Sequence, residues 1–115
     1  MSTSPAYREC FLYVDAAGVE QLTAELATRL GPPERFDRFT VGDIEVDVVE
    51  NGMRLPDRPD TFVDWPAKVE VYAESTPDAD VARFVGDLME FLRSRGHRVV
   101  ASCDFEDELP QQDLV

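Results

Sequence analysis

The chain is poor in positive charge. Eleven Lys and Arg stand against 24 Asp and Glu in 115 residues, a formal net charge of −13. Such a surface repels phosphate, which argues against direct nucleic-acid binding. Histidine occurs once and cysteine twice. The spacing of these residues matches no zinc pattern, and there is no Cys-x-x-Cys redox motif. No apolar run approaches the roughly 20 residues of a membrane-spanning helix. The segment from Met1 to Glu9 lacks the apolar stretch of a secretory leader, so the expected location is the cytoplasm and no membrane partner is expected. The six glycines are scattered, which leaves no Gly-rich loop to cradle a phosphate. Internal repeats and low-complexity tracts are missing as well.

What is present suits one folded domain. With 43% hydrophobic and 10% aromatic residues, the chain is too apolar to be a disordered acidic polymer and long enough to bury a core without metals or disulfides. A single domain over 1–115 is expected, with a flexible segment at 1–8 and an acidic tail at 104–115. The charge is uneven: residues 41–80 hold eleven acids and three bases, more of the excess than the two flanking thirds together.

The segments are legible from periodicity. Cys10 to Val14 is rich in strand formers, and Asp15 stands where a helix cap would. Val19, Leu22, Leu26 and Leu30 repeat at helical spacing, and Gly31-Pro32-Pro33 ends that helix. In Asp43-Ile44-Glu45-Val46-Asp47-Val48 apolar and acidic residues alternate, the mark of a strand with one buried face. Asn51-Gly52 signals a turn into a long polar connection. Phe62 to Trp65 reads as the beginning of a strand interrupted by Pro66, and Lys68 to Ala73 resumes the alternation. Thr76-Pro77-Asp78 carries a hydroxyl cap and a first-turn proline. Val81, Phe84, Val85, Leu88, Phe91 and Leu92 then form a helical stripe, ended by Gly96. Arg98 to Cys103 is the last strand. The order β-α-β-β-α-β predicts an α+β fold of the ferredoxin-like split βαβ kind. It has a four-stranded antiparallel sheet in the order 4-1-3-2, with two helices on one face.

Alternation then assigns the faces. Leu12, Val14, Ile44, Val46, Val48, Val69, Val71, Val99 and Ala101 point to the helices. Phe11, Tyr13, Glu45, Asp47, Glu70, Tyr72, Val100 and Ser102 fall on the open face, an aromatic centre beside an acidic edge. Exposed aromatics of this kind mark binding surfaces. A dimer or the acidic tail covering this face explains them equally well. The acids Asp43, Glu45 and Asp47 also suit a guard against strand-to-strand aggregation.

No catalytic constellation emerges. His97 is a lone histidine at a helix–strand junction, with no Ser-His-Asp or Cys-His arrangement around it. Asp104, Glu106, Asp107 and Glu108 lack the spacing of a calcium loop and read as a solvated tail. Cys10 and Cys103 fall near one end of two neighbouring strands and read as two buried free thiols in a reducing cytoplasm, with a disulfide as the alternative. The expectation is a non-catalytic binding protein with no metal and no cofactor. A basic protein is the natural partner, since complementary charge speeds encounter and aromatic anchors supply the buried contacts. Tyr13, Glu45, Asp47, Glu70 and Tyr72 form the expected patch, extended through the long connection by Asp57, Asp60, Asp64 and Trp65.

The closing segment Val99-Val100-Ala101-Ser102-Cys103-Asp104-Phe105-Glu106-Asp107-Glu108-Leu109-Pro110 resembles the C-terminal ends of small acidic bacterial immunity proteins of polymorphic toxin systems. Phe62-Val63-Asp64-Trp65-Pro66 and Val69-Glu70-Val71 are similar to the same set. The resemblance implies an inhibitor that neutralises a basic toxin inside the producing cell. A nuclease is one such toxin, because it must be basic to hold phosphate. Two other readings remain open at this level. In one, a small-ligand sensor or compact dimeric enzyme lines a cavity with Phe11, Tyr13 and Tyr72, with His97 or Cys103 acting. In the other, an accessory subunit uses the same face to form a homodimer.

Overall fold

A computed structural model describes residues 8–35, 37–51 and 65–103. Along them run β1 (Arg8–Val14), α1 (Val19–Leu30), β2 (Arg38–Val41), β3 (Ile44–Glu50), β4 (Ala67–Ala73), α2 (Asp78–Ser94) and β5 (Val99–Ser102). The strands form one antiparallel sheet in the order β2-β3-β4-β1-β5. The class is α+β, with five strands rather than the four expected. The expected four-strand order is therefore not matched as it stands. Its strands run β3-β4-β1-β5, and β2 is added outside β3 as a new edge.

The extra strand follows from local chemistry. Phe39 and Val41 flank Thr40, a short run of strand formers. Val41 pairs with Ile44, leaving Gly42-Asp43 as a two-residue hairpin loop. Gly42 sits at φ +63°, the left-handed conformation such a loop demands and glycine supplies without strain. Asp43 thus belongs to the turn and not to the strand that alternation assigned it to. Glu45 and Asp47 lie on an inner strand, so their charge is not guarding a sheet edge.

The helices cover one face. Cys10, Leu12 and Val14 of β1 share a single buried cluster with Ile44, Val46 and Val48 of β3, Ala67, Val69, Val71 and Ala73 of β4, and Val99 and Ala101 of β5. Leu22 and Leu26 of α1 close it from above, with Val81, Val85, Leu88, Met89 and Leu92 of α2. Phe39 joins the same cluster from β2. The nine core residues read from alternation are all in it.

The helix starts differ from expectation. Gly18 and Pro77 occupy the N-cap positions, and neither helix has a side-chain cap. Asp15 instead accepts two hydrogen bonds from the Arg98 guanidinium, at 3.0 and 2.7 Å. The Thr76 hydroxyl donates to Asp43. Each side chain found a partner distant in sequence in place of a local backbone amide. The helix ends follow the sequence: Gly31 N donates to the Ala27 carbonyl at 3.0 Å, and Pro32-Pro33 prevents continuation. Arg8, assigned to the flexible segment, opens β1 opposite Ala73. The acidic tail and the greater part of the long connection lie outside the described residues.

Asp43 ties the β2–β3 turn to the β4–α2 connection. Its carboxylate accepts from Ser75 N at 2.6 Å, Ser75 Oγ at 2.7 Å and Thr76 Oγ1. These bonds, that of Thr76 foremost, hold its pKa well below the usual carboxylate range. A depressed folded-state value means that the ionised carboxylate stabilises the fold above the ordinary Asp value near 4, and that this is lost as pH falls below it. Melting temperatures followed from about pH 5 to about pH 2 should therefore fall more steeply for the wild type than for Asp43→Asn. Parallel curves would show that the carboxylate does not anchor the turn.

Candidate functional site

The face away from the helices is built from the outward positions of all five strands. The register sets them in rows. Thr40, Glu45, Tyr72 and Glu9 make one; Arg38, Asp47, Glu70, Phe11 and Ser102 the next; Val49, Lys68, Tyr13 and Val100 the third. Five of the expected patch residues, Tyr13, Glu45, Asp47, Glu70 and Tyr72, are thus brought onto one face. Asp57, Asp60 and Asp64 lie outside the described residues.

Trp65 is a correction. It is 1% exposed and presents no open ring to a partner. The Arg98 guanidinium stacks 4.7 Å from its ring centre, and Asn51 Nδ2 donates to its carbonyl at 2.9 Å. The indole is a packing element at the entrance to β4. Val100, also assigned to the open face, is only 3% exposed and offers a partner no surface, whereas Arg38, Thr40 and Glu45 are exposed at the β2–β3–β4 end.

At that end lies a concavity of about 490 Å³ lined by Glu9, Arg38, Asp43, Glu45, Asp47, Tyr72 and Glu74. Five of the seven are carboxylates. Glu9, Arg38, Asp43 and Glu74 were not singled out as site residues. Placing β2 beside β3 would have pointed to Arg38 and Asp43, and extending the β1 and β4 alternation by one step would have added Glu9 and Glu74.

The electrostatics are unusual for a sheet. Asp47 and Glu70 are directly opposed across β3 and β4, and like charges in that position repel. Each is answered from the side. Arg38 Nε reaches Asp47 Oδ1 at 2.8 Å and its terminal nitrogen reaches Oδ2 at 3.3 Å, while Glu45 lies 3.7 Å away. These contacts, Asp47 first, hold the Arg38 guanidinium more firmly protonated than usual. Lys68 pairs with Glu70 at 3.2 Å and rests 4.7 Å from the Phe11 ring centre. Tyr72 donates its hydroxyl to Glu70 at 2.7 Å. Two bases thus face six carboxylates on the face and its rim: Glu9, Asp43, Glu45, Asp47, Glu70 and Glu74. The surplus negative charge surrounds one tyrosine.

His97 lies elsewhere. Its Nε2 is 2.5 Å from Glu25 Oε1, and Arg95 donates to Thr28 Oγ1 at 3.1 Å. Both contacts join the α2–β5 junction to α1, in the helix layer and not on the open face. Among the described residues, no group of three or more His, Cys, Asp or Glu is placed to hold a metal ion. No helix among them is long and apolar enough to cross a membrane.

Fold and site together define an α+β protein with one helix-covered face and one acidic, aromatic face. No family model matches the chain, and no curated protein and no solved structure is significantly similar to it.

Proposed function

We propose that the protein is a non-catalytic acidic binding protein whose open sheet face receives a basic protein, in the manner of an immunity-type inhibitor that neutralises a basic toxin inside the cell. The observation that carries this reading is the crowding of carboxylates around Tyr72. A face with Asp47 opposite Glu70, and Glu45 beside both Tyr72 and Asp47, gives up stability that mixed charges would retain. Such departures from local consistency are expected where a surface serves binding. Arg and Lys side chains of a partner would relieve the repulsion on docking, and Tyr72 offers a flat amphipathic contact among them. A nuclease groove, built to hold phosphate, presents cationic groups of this kind.

The frame we infer is a ferredoxin-like split βαβ core, β1-α1-β3 and β4-α2-β5, with β2 added as an edge hairpin. It is supported by the strand order, in which β4 fills the gap between β1 and β3, and β1 the gap between β4 and β5. The alternative of a small-ligand cavity lined by Phe11, Tyr13 and Tyr72 has less support. Only Tyr72 of the three lines the concavity, and small-molecule sites are lined mainly by apolar groups.

Isolation from native cells tests the reading. A basic polypeptide at one-to-one ratio, released by high salt, is the expected result. A tightly held metabolite would point to a sensor or enzyme, and a homodimer with no other partner to an accessory subunit.

A further inference from the structure

Two thiols 93 positions apart in sequence come together at the end of the sheet, with Cys10 Sγ and Cys103 Sγ 2.7 Å apart. The register explains why. Phe11 pairs with Ser102 at the last step of the β1–β5 ladder, so the next opposed positions are Cys10 and Cys103. Directly opposed residues on antiparallel strands have Cα atoms about 4.5–5.5 Å apart, inside the range that a disulfide spans without backbone movement. Cys10 is 1% exposed and belongs to the core cluster; Cys103 is half-buried and packs against that cluster. Neither is bridged as the structure stands.

We propose that Cys10 and Cys103 form a reversible dithiol–disulfide pair, oxidised by a small-molecule disulfide, which staples β5 to the central strand β1. The chemistry proceeds by two exchanges. The more accessible Cys103 thiolate attacks one sulfur of the small disulfide, forming a mixed disulfide and expelling one small thiolate. The Cys10 thiolate then attacks Cys103 Sγ, forming the Cys10–Cys103 bond and expelling the second small thiolate. Two electrons pass from the protein to the small disulfide, and the two cysteine protons end on the two small thiols released. The half-buried position of Cys103 gives the reagent access, and the burial of Cys10 makes it the resolving thiol.

The bond has a structural consequence. Among the described residues, β5 is a four-residue edge strand held in the sheet by β1 only, and the bond fastens it where the ladder ends. Closing so long a loop lowers the entropy of the unfolded chain substantially. This inference is independent of the identity of any partner.

The test uses the whole purified chain and oxidised glutathione as probe. The expected product is monomeric and lighter by two hydrogens, has lost both titratable thiols, and yields a Cys10–Cys103 linked peptide on digestion. Its melting temperature should rise by about 10 °C and return on addition of dithiothreitol. Cys103→Ser, altering the half-buried partner and leaving the core thiol in place, should fold and show no such rise. A stable glutathione adduct as end product, a disulfide-linked dimer, or two thiols that persist at equilibrium would each overturn the proposal.

Discussion

Phe39→Ala should destabilise the chain by about 3–5 kcal/mol, the range for removing a buried aromatic ring, as read from urea unfolding. Domains of this size are stable by only about 6–17 kcal/mol, so the loss is a large share of the total. Gly42-Asp43 turns β2 back alongside β3, Phe39 is set opposite Val46, and its ring is 1% exposed within the main core. No described strand lies outside β2 to fill the space. Val41→Ala on the same strand is the control: Val41 is 36% exposed, and its truncation should cost less than about 1 kcal/mol. If the two substitutions cost the same small amount, β2 is an ornament on a four-stranded sheet and not a part of the fold.

That contrast also marks where the sequence stops being legible. The alternation in Ile44–Glu50 and Ala67–Ala73 is long enough to reveal both the strands and their buried faces, and α1 is bounded by its own spacing and by Gly31-Pro32-Pro33. β2 has four residues and one buried side chain, Phe39, which is too little for a period-two signal. Its presence is written mainly in the Gly42-Asp43 turn, whose second residue alternation assigns to the next strand. Capping failed for a different reason. Asp15 and Thr76 bond to groups 83 and 33 positions away, and no local rule anticipates a competitor at that distance. The candidate site was half visible for the same reasons. Strand parity placed Glu45, Asp47, Glu70 and Tyr72 together, but Arg38, which neutralises part of that charge, arrives on the strand that was missed. Trp65 was read as exposed because it borders a polar connection. Its ring is instead buried and stacked by the Arg98 guanidinium, which arrives from the start of β5, two strands across the sheet.

The second large effect concerns binding. Glu45 and Glu74 line the concavity from β3 and the end of β4, and both are exposed. Glu45→Lys combined with Glu74→Lys replaces two attractive charges by two repulsive ones without touching the core. Affinity for a basic partner should fall by roughly 30-fold or more at low salt, mainly through slower association, because rim charges act on encounter and orientation. The melting temperature should hold or rise slightly, since crowded like charges are being relieved. Arg38→Ala has the opposite sign. It uncovers Asp47 and Glu45 and should strengthen binding, with little loss of stability because the ion pair it breaks is exposed. A change in the same direction from both variants would indicate a distorted sheet and not a charge effect.

Whether the acidic face is the docking surface is tested most directly by one titration. The wild type and the Glu45→Lys/Glu74→Lys variant are titrated calorimetrically with the basic polypeptide that co-purifies with the protein, at about 50 mM and about 500 mM salt. The account predicts tight one-to-one binding of the wild type that weakens steeply with salt, and much weaker, nearly salt-independent binding of the variant. Equal affinities and equal salt dependence for the two proteins would contradict it.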